Sequence, residues 1–193
     1  MSSPQPTWQL VPATALTPTP WRNGQGVSRN IVGQNQPGGE LEWQVSIATL
    51  HHDTPFSHYP HCDRIFTPLS GDPAPALSFN GGPYQPCTLL LPKRFSGDWA
   101  TQSRIAAPGE AFNVVFNRRL HSARVIVLPL AQGDPVSLPG ATTFVLHCLT
   151  ATICFGPHEI GASDTFHGQG PALVGTATLP GTALLVEIRS AAA

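Results

Sequence analysis

The stretch Glu42-Trp43-Gln44-Val45-Ser46-Ile47-Ala48 alternates strictly between polar and apolar side chains. Because successive side chains of a strand point to opposite faces, its three large apolar residues share one face and its three polar residues share the other. The pattern therefore predicts a half-buried strand. In an open sandwich the polar face would meet solvent, whereas in a barrel with a ligand cavity it would point inward, and the pattern alone allows both arrangements.

Eight further short segments are rich in Val, Ile, Phe, Leu or Thr and are bounded by turns that contain Gly or Pro. They are predicted to be strands at residues 64–67, 87–91, 112–116, 124–128, 143–149, 151–155, 172–174 and 184–189. The 21 prolines and 18 glycines disfavour long helices, because Pro lacks an amide donor and Gly is costly in a helix interior. The chain is therefore predicted to be an all-β sandwich, jelly roll or barrel, with an extended and only partly anchored opening stretch up to about Pro20.

The charge composition limits the kinds of partner. Charged residues make up 11% of the chain and the formal net charge is -1, so no overall attraction draws it to nucleic acid or to an anionic membrane. Residues 1–7 lack the features of a secretory signal, and no later stretch stays apolar for the ~20 residues of a membrane-spanning helix. We therefore expect a cytoplasmic protein with neither nucleic acid nor a membrane as partner, and with its four cysteines as free thiols.

The segment from Trp21 to Asn30 carries two glycines, Gly24 and Gly26, among Asn, Gln, Ser and Arg. Such a segment allows a tight turn that presents amides and side-chain donors to a ligand. It does not fit a dinucleotide-binding fingerprint, because a correctly spaced third glycine, a preceding strand and a following helix are all missing. The alternative is a hairpin turn whose Trp21 packs on the core.

Two later positions carry polar groups suited to a binding site. Arg64 follows a turn-rich loop at the start of a predicted strand, where it could bind a carboxylate ligand with two parallel hydrogen bonds or pair with Asp63 as a structural bridge. Asn113 lies between apolar neighbours in a predicted strand. A buried Asn must form hydrogen bonds, so its amide is expected to meet backbone, water or a ligand.

Five short motifs follow one another along residues 21–119. They are Trp21-x-Asn23-Gly24-x-Gly26-x-Ser28-Arg29, Trp43-x-Val45-Ser46-Ile47-Ala48, Pro55-Phe56-Ser57-x-Tyr59-Pro60-x-x-Asp63-Arg64, Gly97-Asp98, and Phe112-Asn113 with Arg118-Arg119. In order and spacing they resemble the HutD/Ves family. The chain departs from that pattern at Ala111, where the family tends to carry an acid, and at His61, where a Gly is common.

The resemblance implies a cupin-like (RmlC-like) double-stranded β-helix, in which two β-barrel-like halves form a bicupin. We expect one domain over residues 1–193, with a first half of about 20–128 and a second half of about 129–193, because the composition changes near residues 129–139. The resemblance further implies a protein associated with histidine utilisation, with no established catalytic activity and a regulatory or accessory role. Its expected partner is a small polar carboxylate such as urocanate or N-formylglutamate.

The predicted ligand site combines one cation, polar side chains and an aromatic wall. Arg64 is expected to supply the charge, Asn23 and Asn113 to orient the ligand, and the tryptophans, among them Trp21, to form an apolar wall. Ser57 is expected to line the same pocket. No catalytic residue, metal or cofactor is predicted. A structure in which Arg64 lies on the outer surface, remote from both Asn23 and Asn113, would contradict this hypothesis.

Two other functions remain open at this stage. The first is a metal-dependent cupin enzyme, an isomerase or dioxygenase, that uses the residues His51, His52, Asp53, His58 and His61. The His-x-His spacing found in many cupin metal sites is missing, as are a nucleophile-elbow motif and the short Cys-x-x-Cys spacing that would favour zinc at Cys148 and Cys154. The second is an interaction module, for which a homodimer is plausible because cupin-like sheets pair readily.

Overall fold

The computed structural model describes residues 7–191, and their regular structure is β-strand apart from a single 3-10 turn at Ala13–Ala15. The strands are β1 Thr7–Val11, β2 Pro18–Pro20, β3 Val27–Asn35, β4 Leu41–Leu50, β5 Thr54–Pro55, β6 Cys62–Pro68, β7 Ala76–Phe79, β8 Gln85–Pro86, β9 Lys93–Ser96, β10 Thr101–Arg104, β11 Gly109–Asn117, β12 His121–Leu130, β13 Pro135–Leu138, β14 Thr143–Cys148, β15 Thr152–Phe155, β16 His158–Ile160, β17 Thr165–Gln169, β18 Leu173–Leu179 and β19 Gly181–Ser190. None of the described residues forms a helix long and apolar enough to cross a membrane.

The chain divides into two compact units. The first unit comprises residues 17–122, and the second comprises residues 123–190 together with the opening segment up to Leu16. The division thus falls between Ser122 and Ala123, within β12, a few residues before the expected position near 128. The opening stretch is also more firmly held than predicted, since all five residues of β1 pair with β17; residues 1–6 lie outside the described part of the chain.

Two antiparallel sheets form the first unit. One has six strands in the order β2-β3-β4-β11-β6-β9, and the other has four in the order β5-β10-β7-β8. Their inward side chains form a buried cluster to which the larger sheet contributes Leu50 and Phe66 and the smaller sheet contributes Leu77. The apolar side chains of these strands therefore close a core between the two sheets.

The second unit repeats this plan with a five-stranded sheet, β1-β17-β14-β19-β12, and a four-stranded sheet, β13-β18-β15-β16. Its buried cluster contains Phe144 and Phe166 from the larger sheet and Ile153 and Phe155 from the smaller one. The aromatic rings of Phe144 and Phe155 both lie 5.7 Å from the Phe166 ring, centroid to centroid. This unit is therefore held together around Phe166.

The predicted strand at residues 87–91 is wrong. The chain makes a turn there, in which Leu90 has a positive φ of 58° and its amide donates to the Pro68 carbonyl. Leu91 is 61% exposed, so this apolar run does not face a core. The segment is apolar without alternation and lies between Pro86 and Pro92, which cannot donate to a ladder, and composition alone was therefore misleading.

Candidate functional site

A cavity of about 50 Å³ opens inside the first unit, beside its apolar core. Both polar and aromatic side chains line it: Trp21, Ser28, Gln44, Ser46, Ala48, Leu50, Phe56, Ser57, Tyr59, Arg64, Phe66, Asn113 and Val115. We call this the inner cavity. Two polar side chains of the alternating strand β4, Gln44 and Ser46, line this cavity. Of the two arrangements that the pattern allowed, a polar face toward solvent or toward a cavity, the structure therefore shows the second.

Strand register brings the polar residues of the inner cavity together. On β6, Arg64 lies opposite Val115 of β11, and Val115 in turn lies opposite Gln44 of β4. Two residues along β11, Asn113 lies opposite Ser46. Because side chains two apart on a strand share a face, Arg64, Gln44, Asn113 and Ser46 all project to the same side of the six-stranded sheet.

Arg64 is buried without an acidic partner. Its side chain forms no ion pair with any acid among residues 7–191, and its single hydrogen bond is a long one of 3.4 Å from Nη2 to the Ser57 carbonyl. The buried Nε has no hydrogen-bond partner in this part of the chain. The structure therefore does not contain the Arg64–Asp63 bridge that the sequence left open, because Asp63 pairs with Arg94 and Arg118 instead.

Two aromatic rings hold the Arg64 guanidinium in place. Its central carbon lies 4.7 Å from the centre of the Phe56 ring and 5.3 Å from that of Tyr59. Burial lowers the pKa of Arg64 to about 10, so the side chain is still charged at neutral pH. A buried cation that lacks a counter-charge is unfavourable unless an anion joins it, and the aromatic contacts compensate for only part of that cost.

Neutral hydrogen-bonding groups surround this cation. Asn113 is 7% exposed, and its Nδ2 donates to the Ala111 carbonyl at 3.3 Å. An amide offers two N–H donors and an acceptor oxygen, so part of its capacity is left for a ligand. Gln44 donates from Nε2 to the Asn30 side chain at the cavity edge. The inner cavity can therefore bind an anion and orient its polar substituents.

The Trp21–Gly26 loop, which carries Asn23, closes on itself at the mouth of the cavity. The Trp21 amide donates to the Gly26 carbonyl at 2.8 Å. Asn23 does not line the inner cavity: its Nδ2 donates to the Pro55 carbonyl at 2.8 Å and its Oδ1 accepts from the Gln25 amide. Asn23 thus holds the loop in place, whereas Trp21, Ser57, Arg64 and Asn113 share one cavity.

The Trp21 ring, which lines the inner cavity, packs against Gly26 because this residue has no side chain. The contact between the two residues can be tested by substitution. A Cβ at position 26 would lie 2.7–2.8 Å from three carbons of the Trp21 ring, so Gly26→Ala must displace the indole. Overpacking of this kind typically lowers the free energy of unfolding by roughly 1–3 kcal/mol. Because the displaced indole lines the inner cavity, we expect the affinity of this cavity for an anionic ligand to fall by about fivefold or more. Calorimetric titration measures this. Gly38→Ala is the matched control, since nothing lies within 4 Å of its Cβ; equal affinities in both variants would contradict a role for Trp21.

A charged network fixes the 57–62 loop, which carries Ser57 and Tyr59 over the cavity. Arg118 donates to Asp63 and to Asp98, at 2.7 Å in each case, and also to the Cys62 carbonyl. Asp98 accepts a hydrogen bond from the His61 amide at 2.9 Å. This amide and the Arg118 guanidinium lower the pKa of Asp98 to about 2.

The low pKa of Asp98 predicts a pH-dependent contribution to stability. Ionised Asp98 stabilises the fold above its ordinary pKa of 3.8, and this contribution is lost as the pH falls to about 2, where the folded-state carboxylate takes up its proton. Asp98→Asn should therefore lower the melting temperature at pH 7, and the difference from wild type should close between pH 4 and pH 2. Thermal denaturation across this range measures it. A difference for Asp98→Asn that stays constant between pH 4 and pH 2 would contradict the account.

The histidines considered as metal ligands lie on different features. His51 and His52 line an apolar side cavity next to Trp21, whereas His58 Nε2 lies 3.2 Å from the Asp98 carbonyl oxygen and His61 follows it on the 57–62 loop. Asp53 accepts from the Ile105 amide. Among the described residues, no three or more His, Cys, Asp or Glu side chains are grouped as a metal site would need.

The four cysteines are free thiols, as predicted, and two of them, Cys62 and Cys148, are buried. Burial raises the pKa of Cys148 to about 12, so its thiol is protonated at neutral pH. Cys154 lies half-buried beside Glu159. Packing is thus the visible role of Cys148.

A comparison with known protein families identifies the family of this chain. The HutD family profile matches residues 13–185. The chain belongs to the HutD family. An uncharacterized 21.2 kDa protein in the hutC 3' region of Pseudomonas putida is 28% identical over 119 residues, which cover 61% of this chain and 62% of that protein. This HutD-family chain therefore aligns with less than two thirds of that relative.

Solved structures with the same architecture confirm the cupin fold of this HutD-family protein. HutD from Pseudomonas fluorescens SBW25 superposes with a TM-score of 0.81 at 22% identity, over 96% of this chain and 100% of that one. The bacterial pirin YhhW from Escherichia coli, in complex with nickel(II), superposes with a TM-score of 0.68 at 8% identity, over 94% and 98% of the two chains. The predicted all-β, cupin-like fold is thus confirmed, and each of the two units contains one pair of sheets, as a bicupin would have.

Proposed function

We propose that this HutD-family protein binds a small polar metabolite whose carboxylate occupies the inner cavity, and that it acts as a sensor or accessory protein rather than as a catalyst. The observation that carries this proposal is the state of Arg64. Its guanidinium is buried, lacks an acidic partner among residues 7–191 and has a buried Nε without a hydrogen-bond partner. A carboxylate would supply the missing charge and accept two parallel hydrogen bonds from the guanidinium.

The surrounding residues suit a carboxylate better than a larger anion. The inner cavity holds about 50 Å³, and each water-sized group needs roughly 10–15 Å³ by the same measure. A carboxylate and a few further atoms therefore fill it, while Asn113, Gln44 and Ser46 offer hydrogen bonds to them. The aromatic rings of Phe56 and Tyr59 keep the guanidinium in position before the ligand arrives, which lowers the entropic cost of binding.

The family supports metabolites of histidine degradation as first candidates, with urocanate and N-formylglutamate as examples. A ligand that binds only the folded state stabilises the protein and so raises its melting temperature. At a ligand concentration of a hundred times the Kd, the added free energy of unfolding is about 2.7 kcal/mol. We therefore expect at least one intermediate of this pathway to raise the melting temperature in a thermal-shift screen.

The amide of the same compound is the matched control, because it keeps the shape and removes the negative charge. The proposal predicts that the acid shifts the melting temperature and the amide does not. An equal shift by both compounds, or the lack of a shift by every carboxylate tested at millimolar concentration, would contradict carboxylate binding.

A further inference from the structure

A second arginine lies at the mouth of the same site. Arg22, on the Trp21–Gly26 loop, places its guanidinium carbon 5.2 Å from the centre of the Tyr59 ring, and Arg64 places its own at 5.3 Å from the same centre. The distance between the two cations therefore cannot exceed the sum of these two lengths. One half-buried tyrosine thus connects an inner arginine with an outer one.

The two arginines line adjoining cavities. Arg22 lines an outer cavity of about 280 Å³, and this shares four lining residues with the inner cavity, namely Trp21, Ser28, Gln44 and Tyr59. The remaining residues around the outer cavity are Thr19, Pro20, Asn30, Asn35, Gly39 and Leu41. A ligand whose first group occupies the inner cavity can therefore extend directly into the outer one.

The lining of the two cavities is positively charged. Among the described residues that form it, Arg22 and Arg64 are the charged side chains, and aspartate and glutamate are not represented. The whole chain carries slightly more acids than bases, so this local excess does not follow from composition. Arg22 forms no ion pair with any acid among residues 7–191, and it rests instead on the Tyr59 ring.

The size of the inner cavity adds a second constraint. Because it accommodates a carboxylate and only a few more atoms, a larger metabolite extends beyond it. The outer cavity shares four lining residues with it, whereas the apolar side cavity next to His51 shares two, so the outer cavity, next to Arg22, offers the polar continuation of the site. The Arg22 backbone is held by the closed Trp21–Gly26 loop, which Asn23 fastens to the Pro55 carbonyl. The guanidinium is therefore positioned to meet the far end of the ligand.

We propose that the ligand of this site carries two carboxylates, of which Arg64 binds the inner one and Arg22 the outer one. This inference rests on the proposed function and specifies its ligand class as a short, dianionic dicarboxylate. The ion pair of Arg22 with the outer carboxylate is more exposed than that of Arg64 with the inner one, and is therefore the weaker of the two. It nevertheless selects diacids over monoacids of equal length.

Calorimetric titration with succinate, glutarate and adipate, each compared with its monoamide, tests this. The monoamide keeps the length of the diacid, removes one charge and replaces one acceptor oxygen by an NH2 donor. We expect wild type to bind at least one diacid about threefold or more tightly than its monoamide. Arg22→Gln should abolish this preference, whereas Arg119→Gln, which removes an exposed charge outside both cavities, should retain it.

The outcomes separate the two proposals. A preference for diacids that persists in Arg22→Gln, or failure of every diacid to bind better than its monoamide, overturns the role of Arg22. If either result is found while Arg64→Met still weakens the binding of a monocarboxylate, the role of Arg64 in the inner cavity is supported and that of Arg22 is not. If Arg64→Met binds all the compounds as well as wild type does, the proposed function itself fails.

Discussion

Arg64→Met should weaken carboxylate binding at least tenfold without destabilising the fold. The native guanidinium supplies the charge of the inner cavity, so its removal should weaken affinity at least tenfold, as expected when a charge-assisted pair in a partly dry site is lost. Stability should stay level or rise. Replacing a buried, unpaired charge by an apolar side chain of similar length removes its desolvation penalty, and the Met sulfur can keep contact with the rings of Phe56 and Tyr59.

Calorimetric titration and thermal denaturation of the same samples measure both parts of this prediction. Arg64→Lys is the control that retains a positive charge but loses the planar pair of donors, and it should bind with intermediate affinity. Undiminished affinity in Arg64→Met would remove Arg64 from the site. A large loss of stability together with normal affinity would show that the guanidinium is structural.

Phe166→Ala should have the largest effect on stability in the second unit. Phe166 is 1% exposed, and its ring lies in contact with four others, those of Trp8, Phe144, Phe155 and His158. Truncation to Ala removes these contacts and leaves a cavity, for which a loss of roughly 3–5 kcal/mol in the free energy of unfolding is typical.

Urea denaturation measures this loss. Phe166→Leu keeps most of the volume and should cost less than about 1.5 kcal/mol. Val174→Ala, at a position on β18 that is 71% exposed, should change stability by no more than about 0.5 kcal/mol. A cost for Phe166→Ala close to that of Val174→Ala would show that the rings around Phe166 do not form the centre of this core.

The fold could be predicted where local pattern and tertiary position agree. The alternation at residues 42–48 gave a correct strand, which the structure extends to Leu41–Leu50, and the motifs in the first unit indicated the family. The pairing of β1 with β17 joins segments more than 150 residues apart, and no local pattern reports such a contact. The apolar run at 87–91 shows the converse, since composition without alternation led to the wrong element.

The residues that line the inner cavity could be predicted in part, for reasons that particular residues make clear. Arg64 and Asn113 were recognisable because a charge or an amide within an apolar strand needs a partner. Gln44 and Ser46 were missed as site residues although the polar face of their strand contained the signal, because only the closed sheet shows that this face points inward. The hydrogen bond from Asn23 to the Pro55 carbonyl could not be predicted, because the sequence does not show that these two residues lie within hydrogen-bonding distance.

The contribution of the aromatic residues depends on three-dimensional neighbours. Phe56 and Tyr59 precede Arg64 by eight and five residues, and only the return of the 57–62 loop over β6 places their rings against its guanidinium. Arg22 is still farther away in sequence, and its link to the site is the same Tyr59 ring. Sequence spacing on a loop carries little information of this kind.

Nitrogen-15 NMR of the Arg64 side chain tests most directly whether this guanidinium receives the ligand. Its Nε–H signal is assigned by comparison with Arg64→Lys, which lacks it, and is then followed while a carboxylate that raises the melting temperature is titrated to saturation. Because Nε now lacks a hydrogen-bond partner among residues 7–191, we predict that its proton signal moves downfield in proportion to occupancy. A carboxylate that saturates the protein and leaves this signal in place would contradict the account.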